Sequence, residues 1–331
     1  MPNTLSENIS MDISVVIPFL NEQENLQPLV EELEASFAPL LEQGKIYELI
    51  FVDDGSSDGG VALLSKEHER NPRIKVVEFR RNFGQTAAMA AGLDFSQGDV
   101  VITMDADRQN DPEDIPLLLQ KIDEGFDLVC GWRRDRQDTY WSRKLPSLLA
   151  NKLISKITDV SLHDYGCTLK AMRKDVAKGI TLYGELHRFI PAVASFMGVR
   201  IAEVAVNHRA RTAGESKYGL SRVFRVILDL ITVKFLLSYS GRPIHFFGIP
   251  GLICGSTGFL IAAYLAFGRL FLGMSLSERP LLLFALVLFL LGVQFIIFGL
   301  LGELQIRTYY ESQDKPIYHV RSKIGFENNP N

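Results

Sequence analysis

Two runs near the C-terminus, Phe246 to Phe267 and Leu281 to Gly302, contain no Asp, Glu, Lys or Arg. Each is long enough to cross a hydrocarbon core of about 30 Å as a helix. Burying both in a soluble protein would need a very large core, so a transmembrane hairpin is the better reading. The connecting loop, Gly268 to Pro280, has only Arg269 and Arg279 as basic residues. The flanks carry Arg222, Arg225, Lys234, Arg242, Arg307, Lys315, Arg321 and Lys323. The positive-inside rule therefore places both flanks, and with them both termini, on the cytoplasmic side of the plasma (inner) membrane. The first twelve residues are polar and acid-containing, with no visible cleavable signal peptide. Leu220 to Leu237 is apolar but carries four charges, which suits a helix in the membrane interface or a core-facing helix. The expected organisation is a cytoplasmic domain over 1–219, an interfacial linker over 220–243, two spans within 244–304 (about 246–267 and 281–302), and a cytoplasmic tail over 305–331.

The N-terminal part has a different rhythm. Ile13 to Pro18, Tyr47 to Val52, Ile74 to Phe79, Val100 to Met104 and Leu128 to Gly131 are short apolar runs that read as buried strands. Helical periodicity fills the intervals, from Asn21 to about Leu41, Val61 to Glu69, Gln85 to Phe95, and Pro112 to Glu124. Strands alternating with helices at this spacing predict an α/β fold with a mainly parallel sheet covered on both faces. Past residue 140 the alternation weakens.

Acidic residues follow three of these strands: Glu22, Asp53-Asp54, and Asp105 with Asp107. In a parallel sheet such ends face one side, where open α/β sheets bind ligands. Two carboxylates one residue apart, followed by the amide of Gln109, suit a hard cation such as Mg²⁺ or Mn²⁺ bridging to diphosphate oxygens. No G-x-G-x-x-G follows the first strand and no P-loop lysine occurs, which weakens a dinucleotide or ATPase reading. The net charge of −4 argues against a general nucleic-acid binder. Cys130, Cys167 and Cys254 have no metal spacing and fit a reducing compartment. His163, His187 and His208 are isolated and read as structural, and Trp132 and Trp141 as packing residues. Arg133, Arg134, Arg136, Arg143 and Lys144 form a basic cluster that can supply a positive field or simply be a solvated loop.

Val15-Val16-Ile17-Pro18 with Asn21-Glu22, Val52 to Asp58, Arg81-Asn82-Phe83-Gly84 and Asp105-Ala106-Asp107-Arg108-Gln109 together resemble glycosyltransferase family 2. With the two spans, the chain resembles the bacterial polyprenyl-phosphate glycosyltransferases: dolichyl-phosphate mannose synthase-like enzymes, undecaprenyl-phosphate glucosyltransferases and aminoarabinose transferases. Asp164 to Lys170 and Gly214 to Tyr218 extend the likeness over roughly 13 to 320. Arg108, where the family usually has Leu, and Asp111, where many members have Pro, depart from it.

The resemblance implies a GT-A (Rossmann-like nucleotide-diphospho-sugar transferase) domain and particular roles. Pro18, Leu20 and Glu22 would line the nucleotide site, with Val52 and Asp54 near the uracil. Asp105 and Ala106 would sit by the ribose and diphosphate. Asp105, Asp107 and Gln109 would hold Mg²⁺ or Mn²⁺. Arg133, Arg209, Arg211 and Lys217 would serve the phosphates, and Asp164 would orient the acceptor or sugar.

The implied reaction is inverting transfer of a hexose-like sugar, with glucose favoured, from a UDP-sugar to polyprenyl (undecaprenyl) phosphate. Membrane lipids and copies of the same chain, as many as four, are the implied partners. An acceptor that is already anionic needs no strong general base. A processive polysaccharide synthase of the same fold is the second reading, but no Gln-x-x-Arg-Trp occurs. A catalytically idle membrane scaffold is the third, and the intact Asp105, Asp107 and Gln109 argue against it.

Overall fold

The computed structural model describes residues 11–134, 155, 160–182, 186–209, 243–273, 280–312 and 318–326. The chain divides into two compact units, 1–229 with 316–331, and 230–315.

The first unit is built on one eight-stranded sheet. Its strands are β1 (Ile13–Phe19), β2 (Tyr47–Asp53), β3 (Ile74–Phe79), β4 (Val100–Thr103), β5 (Leu128–Trp132), β6 (Lys170–Arg173), β7 (Ile201–Ala205) and β8 (Val320–Ile324). The order across the sheet is β7-β5-β6-β4-β1-β2-β3-β8. β1 pairs in parallel with β2 and β4, β2 with β3, and β5 with β7. β6 runs antiparallel between β4 and β5, and β8 antiparallel along β3.

Every residue of β1 and β2 is buried, the pattern of central strands covered on both faces. One cover is α1 (Gln23–Glu42), whose Leu26, Leu29, Val30, Leu33 and Phe37 recur at helical spacing and are fully buried. α2 (Gly60–Arg70) and α4 (Ile115–Asp123) join the same core, and α3 (Gln85–Phe95) packs its Ala87, Ala88 and Ala91 on Ile50, Val52 and Val77. Short helices α5 (Lys174–Gly179) and α6 (Ile190–Ser195) follow β6.

The sequence reading anticipated the first five strands within a residue or two. It set 305–331 apart as a tail, whereas the structure brings Val320–Ile324 back into the sheet. Tyr318 stacks on Phe79 at 5.2 Å and donates a hydrogen bond to Asp94 Oδ2 at 2.8 Å. Arg321 pairs with Glu78 at 2.8 Å.

The second unit contains two packed helices, α7 (Pro243–Leu272) and α8 (Pro280–Ser312). Their backbones touch at Gly255 and Gly292, and a Cβ on Gly258 would lie 2.6 Å from the Phe289 nitrogen. Small residues allow this approach, as at helix contacts in lipid. Phe247–Leu272 and Pro280–Gly302 are long and apolar enough to cross a membrane, and only 17% and 11% of their most apolar windows are buried. A core helix of a soluble protein would be mostly covered. The expected interfacial segment 220–242 lies outside the described residues.

Candidate active site

Because β4, β1 and β2 are neighbours and parallel, their C-terminal ends meet at one edge. Pro18 lies opposite Val52 in register, both buried, and Leu20 is half-buried beyond them. The loops leaving β1 and β2 interlock. Ser57 N donates to Asn21 Oδ1 at 2.8 Å, Asn21 N to Ser56 Oγ at 2.9 Å, and Gln23 N to Asp58 Oδ2 at 3.0 Å.

Gly55 has a φ of 77°, and a Cβ there would lie 2.7 Å from the Asn82 nitrogen. Only glycine lets this loop close on the Arg81–Gly84 segment. Asp54, buried beside it, accepts from Phe83 N at 2.7 Å and Gly84 N at 3.0 Å. Burial raises the proton affinity of both Asp53 and Asp54 above the ordinary carboxylate range. Glu22 accepts from Asn25 Nδ2 at 2.6 Å. Asp54 and Glu22 thus shape the edge through local bonds.

The sheet ladder of β4 ends where Met104 N bonds Val16 O at 3.1 Å, and the chain then turns. Asp105 is half-buried and accepts from Gln85 Nε2, at the start of α3, at 2.8 Å. Ala106 is buried, and Asp107, also nearly buried, accepts from Gln109 N at 3.1 Å. Burial first, and then the charge of Asp107, push the Asp105 carboxyl up to about 6. A carboxyl raised by burial and by a neighbouring negative charge marks a place that favours a cation. Among the described residues no three His, Cys, Asp or Glu side chains form a complete metal cage. Two carboxylates and an amide oxygen nevertheless fit a divalent cation of the Mg²⁺ type, which takes few protein ligands and completes its shell with substrate phosphates and water.

Two fixed cations stand nearby. Lys170, in β6 opposite Thr103, is buried and donates to Cys167 O. Arg133, just past β5, forks onto Asp164 through Nε–Oδ2 at 2.7 Å and Nη2–Oδ1 at 3.0 Å. Burial works against the Arg133 charge, but Asp164 holds the guanidinium firmly protonated. Their fields favour ionised Asp105 and partly offset its burial. Beside Lys170, burial pushes the Cys130 and Cys167 thiols up to about 12 and about 11, so neither is a thiolate.

Asp164 is itself anchored: its amide donates to Glu203 Oε1 at 3.0 Å. Glu203 also takes His163 Nδ1 at 2.9 Å, and the imidazole stacks on Trp132 with centroids 4.3 Å apart. His187 Nδ1 bonds Thr86 Oγ1 at 2.7 Å. Arg209, implied by the resemblance to serve a phosphate, forks onto Asp111 through Nη2–Oδ1 at 2.6 Å and Nε–Oδ2 at 3.2 Å, and donates to Glu32 Oε2 at 2.8 Å. Sequence reading missed Gln85, Glu32, Glu203 and Lys170 as site-edge residues. Only Lys170 left a signal, a charge inside a segment already singled out. Arg211, Lys217, Arg136, Arg143, Lys144 and Trp141 lie outside the described residues.

Comparison with known proteins gives a consistent frame. The model for glycosyl transferase family 2 matches residues 14–181. Dodecaprenyl-phosphate galacturonate synthase of Rhizobium johnstonii is 47% identical over 316 residues, covering 94% of this chain and 93% of that protein. Undecaprenyl-phosphate 4-deoxy-4-formamido-L-arabinose transferase of Edwardsiella ictaluri is 39% identical over 314 residues, covering 94% of each. Glucosyl-3-phosphoglycerate synthase from Mycobacterium tuberculosis, solved with Mn²⁺, UDP and glucosyl-3-phosphoglycerate, superposes with a TM-score of 0.54 at 21% identity. That match covers 70% of this chain and 82% of that one, and it establishes a shared fold.

Proposed function

The chain belongs to glycosyl transferase family 2, and from that membership we propose that it transfers a uronic-acid sugar from a UDP-linked donor to polyprenyl phosphate at the cytoplasmic face of a membrane. The observation that carries this reading is likeness along nearly the whole chain, apolar helices included, to two proteins named as polyprenyl-phosphate sugar transferases. The glucose favoured by the sequence reading gives way to a galacturonate-type sugar, because the 47% identical relative is a galacturonate synthase.

In this reading Asp105, Asp107 and Gln109 hold Mg²⁺ or Mn²⁺. Bound there, the cation supplies Lewis-acid stabilisation to the departing diphosphate. The rest falls to the chain's own groups. Pro18, Leu20, Glu22, Val52 and Asp54 bound the nucleoside side of the edge, with Asp54 keeping the Phe83–Gly84 backbone in place. Gln85 fixes one oxygen of Asp105. Arg133, aimed by Asp164, offers a rigid planar cation to phosphate oxygens, a task suited to arginine. Arg211 and Lys217 act with it on the phosphates.

The acceptor phosphate attacks as an anion, so catalysis consists of holding two anions together and stabilising the leaving charge. Attack opposite the leaving group inverts the anomeric carbon. Association into homo-oligomers belongs to the same proposal. Incubation of purified protein with polyprenyl phosphate and a panel of UDP-sugars tests it. UDP-galacturonate is expected to be consumed fastest, and preference for UDP-glucose would refute the sugar assignment.

A further inference from the structure

Arg108 lies between two residues assigned to the cation, yet its side chain turns away from them. Its φ is 58°, a left-handed conformation that costs a non-glycine residue on the order of 1 kcal/mol. The guanidinium reaches Glu32 on α1, with Nε 3.2 Å from Oε1 and Nη2 on the same oxygen. The other oxygen of Glu32 accepts from Arg209 Nη1 at 2.8 Å. Arg209 then forks onto Asp111, with Nη2–Oδ1 at 2.6 Å and Nε–Oδ2 at 3.2 Å. The backbone closes the ring: Arg209 N donates to Gln109 O at 3.0 Å, and Asn110 bridges to His208.

The turn from Asp107 to Asp111 is therefore held at both ends, through α1 and through the segment after β7. The side chains are 26% (Arg108), 25% (Glu32), 37% (Arg209) and 8% (Asp111) exposed. Solvent screens such pairs less than open surface pairs.

We propose that Arg108 and Glu32 are positioning residues for the cation-binding turn, fixing the left-handed step that keeps Asp107 and Gln109 on one side. The proposal rests on the assignment of Asp105, Asp107 and Gln109 to the cation. The strained step persists because the ion pairs hold it. Without them the turn relaxes, and the ligands no longer converge before the cation arrives. The same clamp ties the turn to the start of the segment that carries Arg211 and Lys217.

Calorimetric titration of Mn²⁺ into the purified full-length protein, with UDP present, tests this directly. Three variants suffice: Arg108→Gly, which removes the ion pair and leaves the backbone free to leave the left-handed step; Glu32→Gln, which keeps shape and removes charge; and Asp107→Ala. Arg108→Gly and Glu32→Gln are expected to weaken Mn²⁺ binding by about tenfold or more, the usual effect of losing a group that orients a metal ligand. Their double variant is expected to be weakened no further than Glu32→Gln alone, since that change already removes the Arg108–Glu32 pair together with the charge that holds Arg209. Hydrogen exchange of the 108–111 amides is expected to quicken in both, with the melting temperature nearly unchanged. Wild-type Mn²⁺ affinity in both variants, with Asp107→Ala losing the ion, overturns the positioning role and leaves the cation site standing. Wild-type affinity in Asp107→Ala overturns the cation assignment, and the positioning role with it.

Discussion

Asp105 and Asp107 concentrate negative charge at the sheet edge, and their neighbours manage it by contact and by field. Gln85 takes an oxygen of Asp105, Lys170 and Arg133 act from nearby, and Asp164 keeps Arg133 in one orientation. Removing the Asp164 charge leaves a guanidinium with a 15% exposed side chain and no fixed aim. Asp164→Asn is therefore expected to lower kcat about a hundredfold, the scale of a misplaced catalytic group. Arg133→Lys is expected to do the same, because an ammonium cannot fork onto the carboxylate. Steady-state rates at saturating donor check both, and near-wild-type kcat in either would remove the pair from catalysis. The paired acids were legible in the sequence because they directly follow an apolar strand. Glu32 and Glu203 were not. One is a charged residue on an amphipathic helix, the other a carboxylate in a short edge-side strand, and each looks solvated until its tertiary partner is known.

Strands legible as apolar runs are those buried on both faces, from β1 to β5. β6 has four residues, Lys-Ala-Met-Arg, two of them basic, so no periodicity marks it. β8 lies at the edge as Val-Arg-Ser-Lys-Ile, and its polar positions bond across to Glu78 of β3, through Ser322 at 2.6 Å and Arg321 at 2.8 Å. An edge strand made of charged residues reads as a tail. Polar residues also set register inside the sheet. Glu48 in β2 is fully buried, accepts from Ser14 Oγ at 2.5 Å and Gln97 N at 2.8 Å, and pairs with Lys75 Nζ at 2.7 Å. Glu48→Ala strands that lysine and two donors, and is expected to destabilise the unit by roughly 3 kcal/mol. Denaturant unfolding measures it, and a loss below about 1 kcal/mol, typical of an exposed pair, would contradict the reading. Tyr318→Phe, which removes the hydroxyl bonded to Asp94, is expected to cost about 1 kcal/mol by the same measurement.

Chain order constrains the whole molecule. β7 precedes the two apolar helices and β8 follows them, yet both strands belong to one sheet. If α7 and α8 each cross a membrane, the sheet lies on a single side and the loop between the helices on the other. A cysteine introduced as Ser277→Cys is expected to react with an impermeant maleimide from outside the cell, and Ser322→Cys only after lysis. Labelling of Ser322→Cys in intact cells would reverse the proposed orientation. In the proposed orientation the sheet edge that carries Asp105 and Asp107 would share a compartment with nucleotide sugars, and the lipid phosphate would be the membrane-bound partner. The most direct measurement of the central claim is the mass of the lipid formed from polyprenyl phosphate and UDP-galacturonate, together with the nucleotide released. One hexuronic acid joined to a single phosphate, with UDP released, is the predicted result. A lipid that gains sugar plus phosphate with release of UMP, or one that carries a chain of sugars, would contradict it.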